Sequence, residues 1–227
     1  MNGLGLYLLF VIPPLVLGLI IQHWLKTTFA KNANIPVQSG LSGADVARTI
    51  LDHNGLTNVP VEQSPGGPLS DHYDPRKRAV FLSEPVYHGR SISAAAVGAH
   101  EVGHAIQHAK AYKPMQFRSA LWPAVSFASQ GWMFLLLIGL FFQLSGLFLF
   151  AIILYGVVVL FQLVTLPVEF DASRRAGAQL AQLGLVTEPE RAGVKKVLTA
   201  AALTYVAGAL AAITQLLYFL MLYSNRN

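Results

Sequence analysis

The segment AVGAHEVGHAIQH, residues 96–108, sets His100 and His104 four positions apart, with Glu101 directly after the first. On an α-helix that spacing puts the two imidazoles about 40° apart around the axis and one turn apart along it. Both can then close on a single ion. Glu101 leaves the helix beside His100, within reach of a water on that ion and not of the ion itself. This is the HExxH arrangement, two zinc ligands with a carboxylate as general base. Zinc lowers the pKa of its water to about 7, and the carboxylate takes the proton as the hydroxide attacks a polarised carbonyl. One catalytic zinc ion is therefore the expected cofactor. The competing reading is two hydrogen-bonded helix histidines with Glu101 as a solvated charge. The small residues around them (94–96, Gly98, Ala99, Gly103 and Ala105) favour a closely packed active-site helix instead.

A catalytic zinc needs a third protein ligand and an open position. The chain has no cysteine, so that ligand is His, Asp or Glu. His108 lies eight residues past His100, about 12 Å along the axis, and no single ion reaches both. It is expected to support a ligand or to pack. The remaining candidates are His53, Asp71, His72, Asp74, His88, Glu169 and Asp171. Glu169 is the most informative of these, because it follows an apolar run directly, where a carboxylate normally has a partner. An ion pair with Arg174 or Arg175 is its alternative role. In Asp71-His72-Tyr73-Asp74-Pro75, His72 or Tyr73 could stabilise an oxyanion and Asp74 could orient a metal-bound histidine. A capped turn before a strand would account for the same residues.

The elements that must position these groups follow from the charge pattern. The chain is 54% hydrophobic and only 12% charged, and the deficit is local. Charges are missing before Lys26, from Ser119 to Val168 and from Leu198 to Asn225. Roughly 20 apolar residues cross a bilayer, so four spans are expected, within 1–25 and at 120–143, 146–166 and 197–223. The first has no basic leader and no small-residue cleavage site, and reads as an anchor. The loop 26–118 then forms a catalytic region, with its motif helix at about 91–109, and 168–196 forms a third-ligand helix and connector. Of 16 Lys and Arg, ten fall in the first loop, five in the second, and Arg226 lies opposite. Basic loops stay in the cytoplasm, which puts the catalytic side inside and both termini outside. The net charge of +5 comes with no basic stripe interleaved with aromatics, so nucleic acid is not an expected partner. Within the first loop, Ser42-Gly43-Ala44-Asp45 has capping-box spacing, Ser91 can cap the motif helix, and residues 79–82 read as a strand.

Taken together, His100-Glu101-Val102-Gly103-His104, the Asp71–Pro75 block, the segment from Leu82 to Ser91, and Leu166 to Ser173 carry a resemblance over nearly the whole chain. The chain resembles the YugP-like membrane zinc metallopeptidases, also called neutral zinc metallopeptidase family 2. More distantly it is similar to the gluzincin membrane proteases of the HtpX-like and CAAX prenyl-protease group. That resemblance implies a mainly α membrane protein, with four transmembrane helices and a small α+β zincin-like cytoplasmic domain. It places Glu169 on the third-ligand position. Four residues on, where those proteins carry an Asp that supports a ligand, this chain has Ser173. Asp171, about 200° around the helix from Glu169, would face away. By the same analogy Val80, Phe81 and Leu82 would form an edge strand that takes substrate backbone by strand addition.

The expected activity is zinc-dependent endopeptidase cleavage of peptide or protein substrates near the cytoplasmic surface of a bacterial inner membrane, in contact with the lipid bilayer. A zinc-binding but inactive scaffold or regulator of a protease complex is the alternative. Retention of Glu101 weighs against it, since a scaffold needs the histidines but not the base.

Overall fold

The computed structural model describes residues 3–225; Arg226, counted above on the far side of the membrane, lies outside them. The chain is mainly helical, with one small sheet. Its elements are α1 (Gly3–Ala33), α2 (Gly43–His53), β1 (Val61–Gln63), β2 (His72–Asp74), β3 (Ala79–Leu82), α3 (Glu84–Tyr87), α4 (Ile92–Ala109), α5 (Lys113–Phe141), α6 (Ser145–Gln182) and α7 (Glu188–Ser224). Four of these helices, α1, α5, α6 and α7, are long and apolar enough to cross a membrane, with mean hydropathies of 2.1, 1.7, 2.8 and 1.8. That pattern marks a multi-pass membrane protein. Two compact units emerge, one of residues 1–21, 114–167 and 204–227, the other of residues 22–113 and 168–203.

In the first unit the large side chains look outward. Leu9, Phe127, Phe134 and Phe141 are between 60% and 83% exposed, as suits helices solvated by lipid. Its inner contacts are aromatic, with Trp132 and Tyr155 ring centroids 4.5 Å apart and Phe219 on both. Helices α5 and α6 meet through residues 142–144, where Gln143 takes a positive φ of 56°.

The second unit has a hydrophobic core built on α2, β3, α4 and the 168–203 parts of α6 and α7. Local signals start its helices. Ser42 and Asp45 form a reciprocal capping box that opens α2, with the Asp45 N–H donating to Ser42 Oγ at 3.1 Å and the Ser42 N–H to Asp45 Oδ2 at 3.0 Å. Ser91 Oγ accepts the Ala94 N–H at 3.2 Å and opens α4. Glycine then sets how closely helices approach. A Cβ on Gly98 would lie 2.5 Å from the Gly43 carbonyl oxygen, and one on Gly103 2.6 Å from that of Ala172. The second contact lets α6 lie directly against the motif helix. The sequence reading separates the span at 146–166 from a helix beginning near 168, whereas α6 runs through Pro167 without a break. Proline removes one helical hydrogen bond but can be carried inside a long helix.

The sheet corrects one expectation. Its order is β1-β3-β2, with β3 parallel to β1 and antiparallel to β2. Val80, Phe81 and Leu82 therefore sit on the central strand, buried, with Val80 and Phe81 paired on both sides and Leu82 with Gln63 of β1, and the strand is not an edge for a substrate. The edges are β1 and β2, each only three residues long, too short to show an alternating pattern in sequence.

Candidate metal centre

Helix α4 delivers His100 and His104 from one face, with ring centroids 4.8 Å apart and planes at 84°. Glu169 comes from α6, brought in by the close passage at Gly103, and is 2% exposed. Its Oε2 lies 3.3 Å from His100 Nε2 and 3.6 Å from His104 Nε2. Among the described residues this is the one cluster of three His, Asp or Glu ligand atoms, all within 4.8 Å of one another. Zinc bonds of about 2.1 Å in tetrahedral geometry put ligand atoms about 3.4 Å apart. Two imidazole nitrogens and one carboxylate oxygen at these separations fit one zinc ion and leave a fourth position.

Each imidazole is held from behind. Ser173 Oγ lies 3.2 Å from His100 Nδ1, at the position where the sequence departs from the gluzincin Asp. His104 Nδ1 is 3.0 Å from Gln107 Oε1, and Gln107 Nε2 donates to the Val168 carbonyl at 2.7 Å and to Asp171 Oδ2 at 3.0 Å. The orientation of this amide follows from its partners. The Val168 carbonyl can only accept, so Nε2 faces it and Oε1 faces the ring. His104 must then carry its proton on Nδ1, which leaves the Nε2 lone pair toward Glu169. Asp171 in turn is paired with Arg174 and Arg175. It is not among the clustered ligand atoms, yet through Gln107 it takes part in holding His104. The sequence reading passed over Gln107. Its signal was present as an amide three residues after His104, on the same helical face and amid alanine and isoleucine.

Glu101 is buried beside His100. Burial pushes its carboxyl up to about 7; the neighbouring His100 works against the rise, while Glu169 adds to it. The backbone N–H of Tyr73 also reaches the Glu101 carboxylate. Tyr73 pairs with Val80, whose own N–H turns to the Pro60 carbonyl on the β1 side. The Tyr73 amide thus projects from the free edge of β2, and that edge meets the motif helix.

The other candidates have separate tasks. Tyr73 Oη and His108 Nδ1 are 2.8 Å apart, tying β2 to the last turn of α4. His72 is exposed, stacked on Phe81 at 4.9 Å, with Nδ1 2.8 Å from the Ser70 carbonyl oxygen. Asp74 accepts the N–H groups of Arg76 and Lys77 at 2.8 and 3.2 Å. Its slight burial is outweighed by those two amides, which hold its carboxyl below the usual range. These are turn contacts, and they bind it to the β2–β3 hairpin. Asp71 accepts the Ser83 N–H at 2.7 Å and its hydroxyl at 3.0 Å; burial nonetheless pushes its carboxyl up. His88 Nε2 is 3.2 Å from Gln63 Oε1. His53 ends α2, outside the cluster.

The chain is 47% identical over 220 residues to the Bacillus subtilis (strain 168) protein described as "Putative membrane protease YugP", covering 97% of each sequence. No solved structure matches it. Residues 7–224 match the family described as "Putative neutral zinc metallopeptidase", and with that coverage the chain belongs to this family of zinc-dependent peptidases.

Proposed function

We propose that the protein is an integral-membrane zinc endopeptidase in which His100, His104 and Glu169 hold one zinc ion and Glu101 is the general base. The observation that carries this reading is the convergence of three ligand atoms from two helices, with a buried carboxylate next to them. Zinc bound there supplies Lewis acidity, polarising a peptide carbonyl and acidifying a water. Glu101 would take up the proton released in the attack and pass it to the leaving amine, as a carboxylate buried beside His100 is placed to do. Ser173 and Gln107 hold the ligand rings in register. His108, by fixing Tyr73, holds β2 against the motif helix. The zincin-like reading of the second unit rests on that ligand geometry, and its placement in the cytoplasm, with both termini outside, on the 15 basic residues in loops 26–118 and 168–196.

The test uses the full-length protein in detergent, assayed for zinc content and for proteolysis. Glu101→Gln should keep one zinc per chain and lose cleavage. Glu169→Ala should lose the metal, while Asp74→Ala keeps it. Unchanged cleavage by the metal-loaded Glu101→Gln protein would remove Glu101 as base and favour another mechanism.

A further inference from the structure

Within the second unit a cavity of about 420 Å³ opens between α6 and α7, apart from the metal cluster. Ser173, Arg174 and Gly177 line it from α6, and Arg191, Lys195 and Leu198 from α7. Its walls contain three cations and no carboxylate. Arg174 and Arg191 hold Asp171 and Glu188, neither of which lines the cavity, and Lys195 has no ion-pair partner among the described residues. The space at Gly177 is open, since a Cβ there would meet nothing within 4 Å.

The height of these cations is set by the helices themselves. The charge-free run of α6 ends at Val168, and Arg174 follows six residues later, about 9 Å along the axis. The charge-free run of α7 begins at Val197, with Lys195 about 3 Å and Arg191 about 9 Å before it. A phospholipid headgroup layer extends about 5–8 Å beyond the hydrocarbon. Lys195 therefore stands within headgroup depth and Arg174 and Arg191 at its outer margin, within reach of their long side chains, and the cavity continues past Leu198 to Ala202, inside the apolar run.

We infer that this groove binds one anionic phospholipid, its phosphate against Lys195, Arg191 and Arg174 and an acyl chain along Leu198 and the space at Gly177. A free phosphate would satisfy the cations but leave the apolar half in contact with water. A peptide subsite fits less well, because the shared wall residue Ser173 stands on the Nδ1 side of His100, and the metal position is on the Nε2 side. The inference does not depend on the peptidase reading.

The full-length protein can be placed in nanodiscs of mixed phosphatidylglycerol and phosphatidylcholine, released into neutral detergent, and its retained lipid counted by native mass spectrometry. Wild type should retain one phosphatidylglycerol in preference to phosphatidylcholine. Arg191→Gln with Lys195→Gln should cut that retention about tenfold or more. Gly177→Leu, which fills the groove and favours helix, should do the same. Arg76→Gln with Lys77→Gln, on the β2–β3 turn, should retain lipid as wild type does, and so should Glu101→Gln, which separates this result from the fate of the catalytic proposal. Equal retention of the two lipids, or unchanged retention in both groove variants, would overturn the inference. So would complete displacement by millimolar inorganic phosphate, or displacement by an acidic peptide, which would assign the groove to an anion alone or to substrate.

Discussion

His100 and His104 leave the same helix one turn apart, yet their surroundings differ. His100 is 14% exposed at its side chain and is backed by one hydroxyl, that of Ser173. His104 is 9% exposed and is backed by an amide whose every polar atom is engaged, by the ring, a backbone carbonyl and Asp171. A hydroxyl can turn to donate or accept, so Ser173 does not impose a tautomer on His100. Gln107 does impose one on His104. The lesson is a division of labour. The His104 ring is held in one tautomer, and the His100 ring, which lies beside Glu101, is backed by a hydroxyl that can serve either tautomer.

Four measurements would break or sharpen that contrast. The largest effect belongs to Glu101, on the His100 side. Glu101→Gln should lower kcat/KM by about 10²- to 10⁴-fold with zinc stoichiometry unchanged; a matching loss of metal would show that the side chain is structural. Next comes pH. In the metal-free protein the Glu101 carboxyl is raised from 4.5 to about 7 by burial, so its neutral form is the one the fold accepts. Ionisation therefore opposes folding, by nothing below pH 4.5 and by about 3 kcal/mol above pH 7. Thermal unfolding of metal-free wild type should weaken from pH 5 to pH 8 relative to Glu101→Gln, and parallel curves would refute the burial effect.

The two ligand supports separate in zinc affinity. Gln107→Leu should weaken binding about 10- to 100-fold in a chelator competition, because it frees the ring and removes its link to Val168 and Asp171 on α6. Gln107→Glu should recover part of the loss, since a carboxylate also accepts from Nδ1. Ser173→Ala should be the smallest, less than about tenfold. Equal losses for Gln107→Leu and Ser173→Ala would erase the asymmetry between the two sides.

Much of this centre was legible along the chain because it is local. His100, Glu101 and His104 are related by helical periodicity alone, and Ser91 and Ser42 start their helices through contacts three residues away. Charge-free runs of membrane length need only counting. Gln107 was hidden for the opposite reason. Its meaning comes from Asp171 and Val168, more than 60 residues further on, and an isolated amide on a helix announces no partner. The mistaken edge strand has the same origin. Residues 79–82 read correctly as a strand, but which strands flank it depends on pairings with β1 and β2 that only folding brings together.

The amino-acid order by itself thus determined the motif helix with its His100–His104 pair, the caps and the four apolar helices, all of which arise from interactions within a few turns or from composition. Only the tertiary structure decided that Glu169 stands 3.3 Å from His100, that Asp171 acts through Gln107, and that β2 presents the free edge. Those depend on how closely α6 passes α4 at Gly103 and on the order of strands. Distances across a fold are set by packing and not by spacing along the chain.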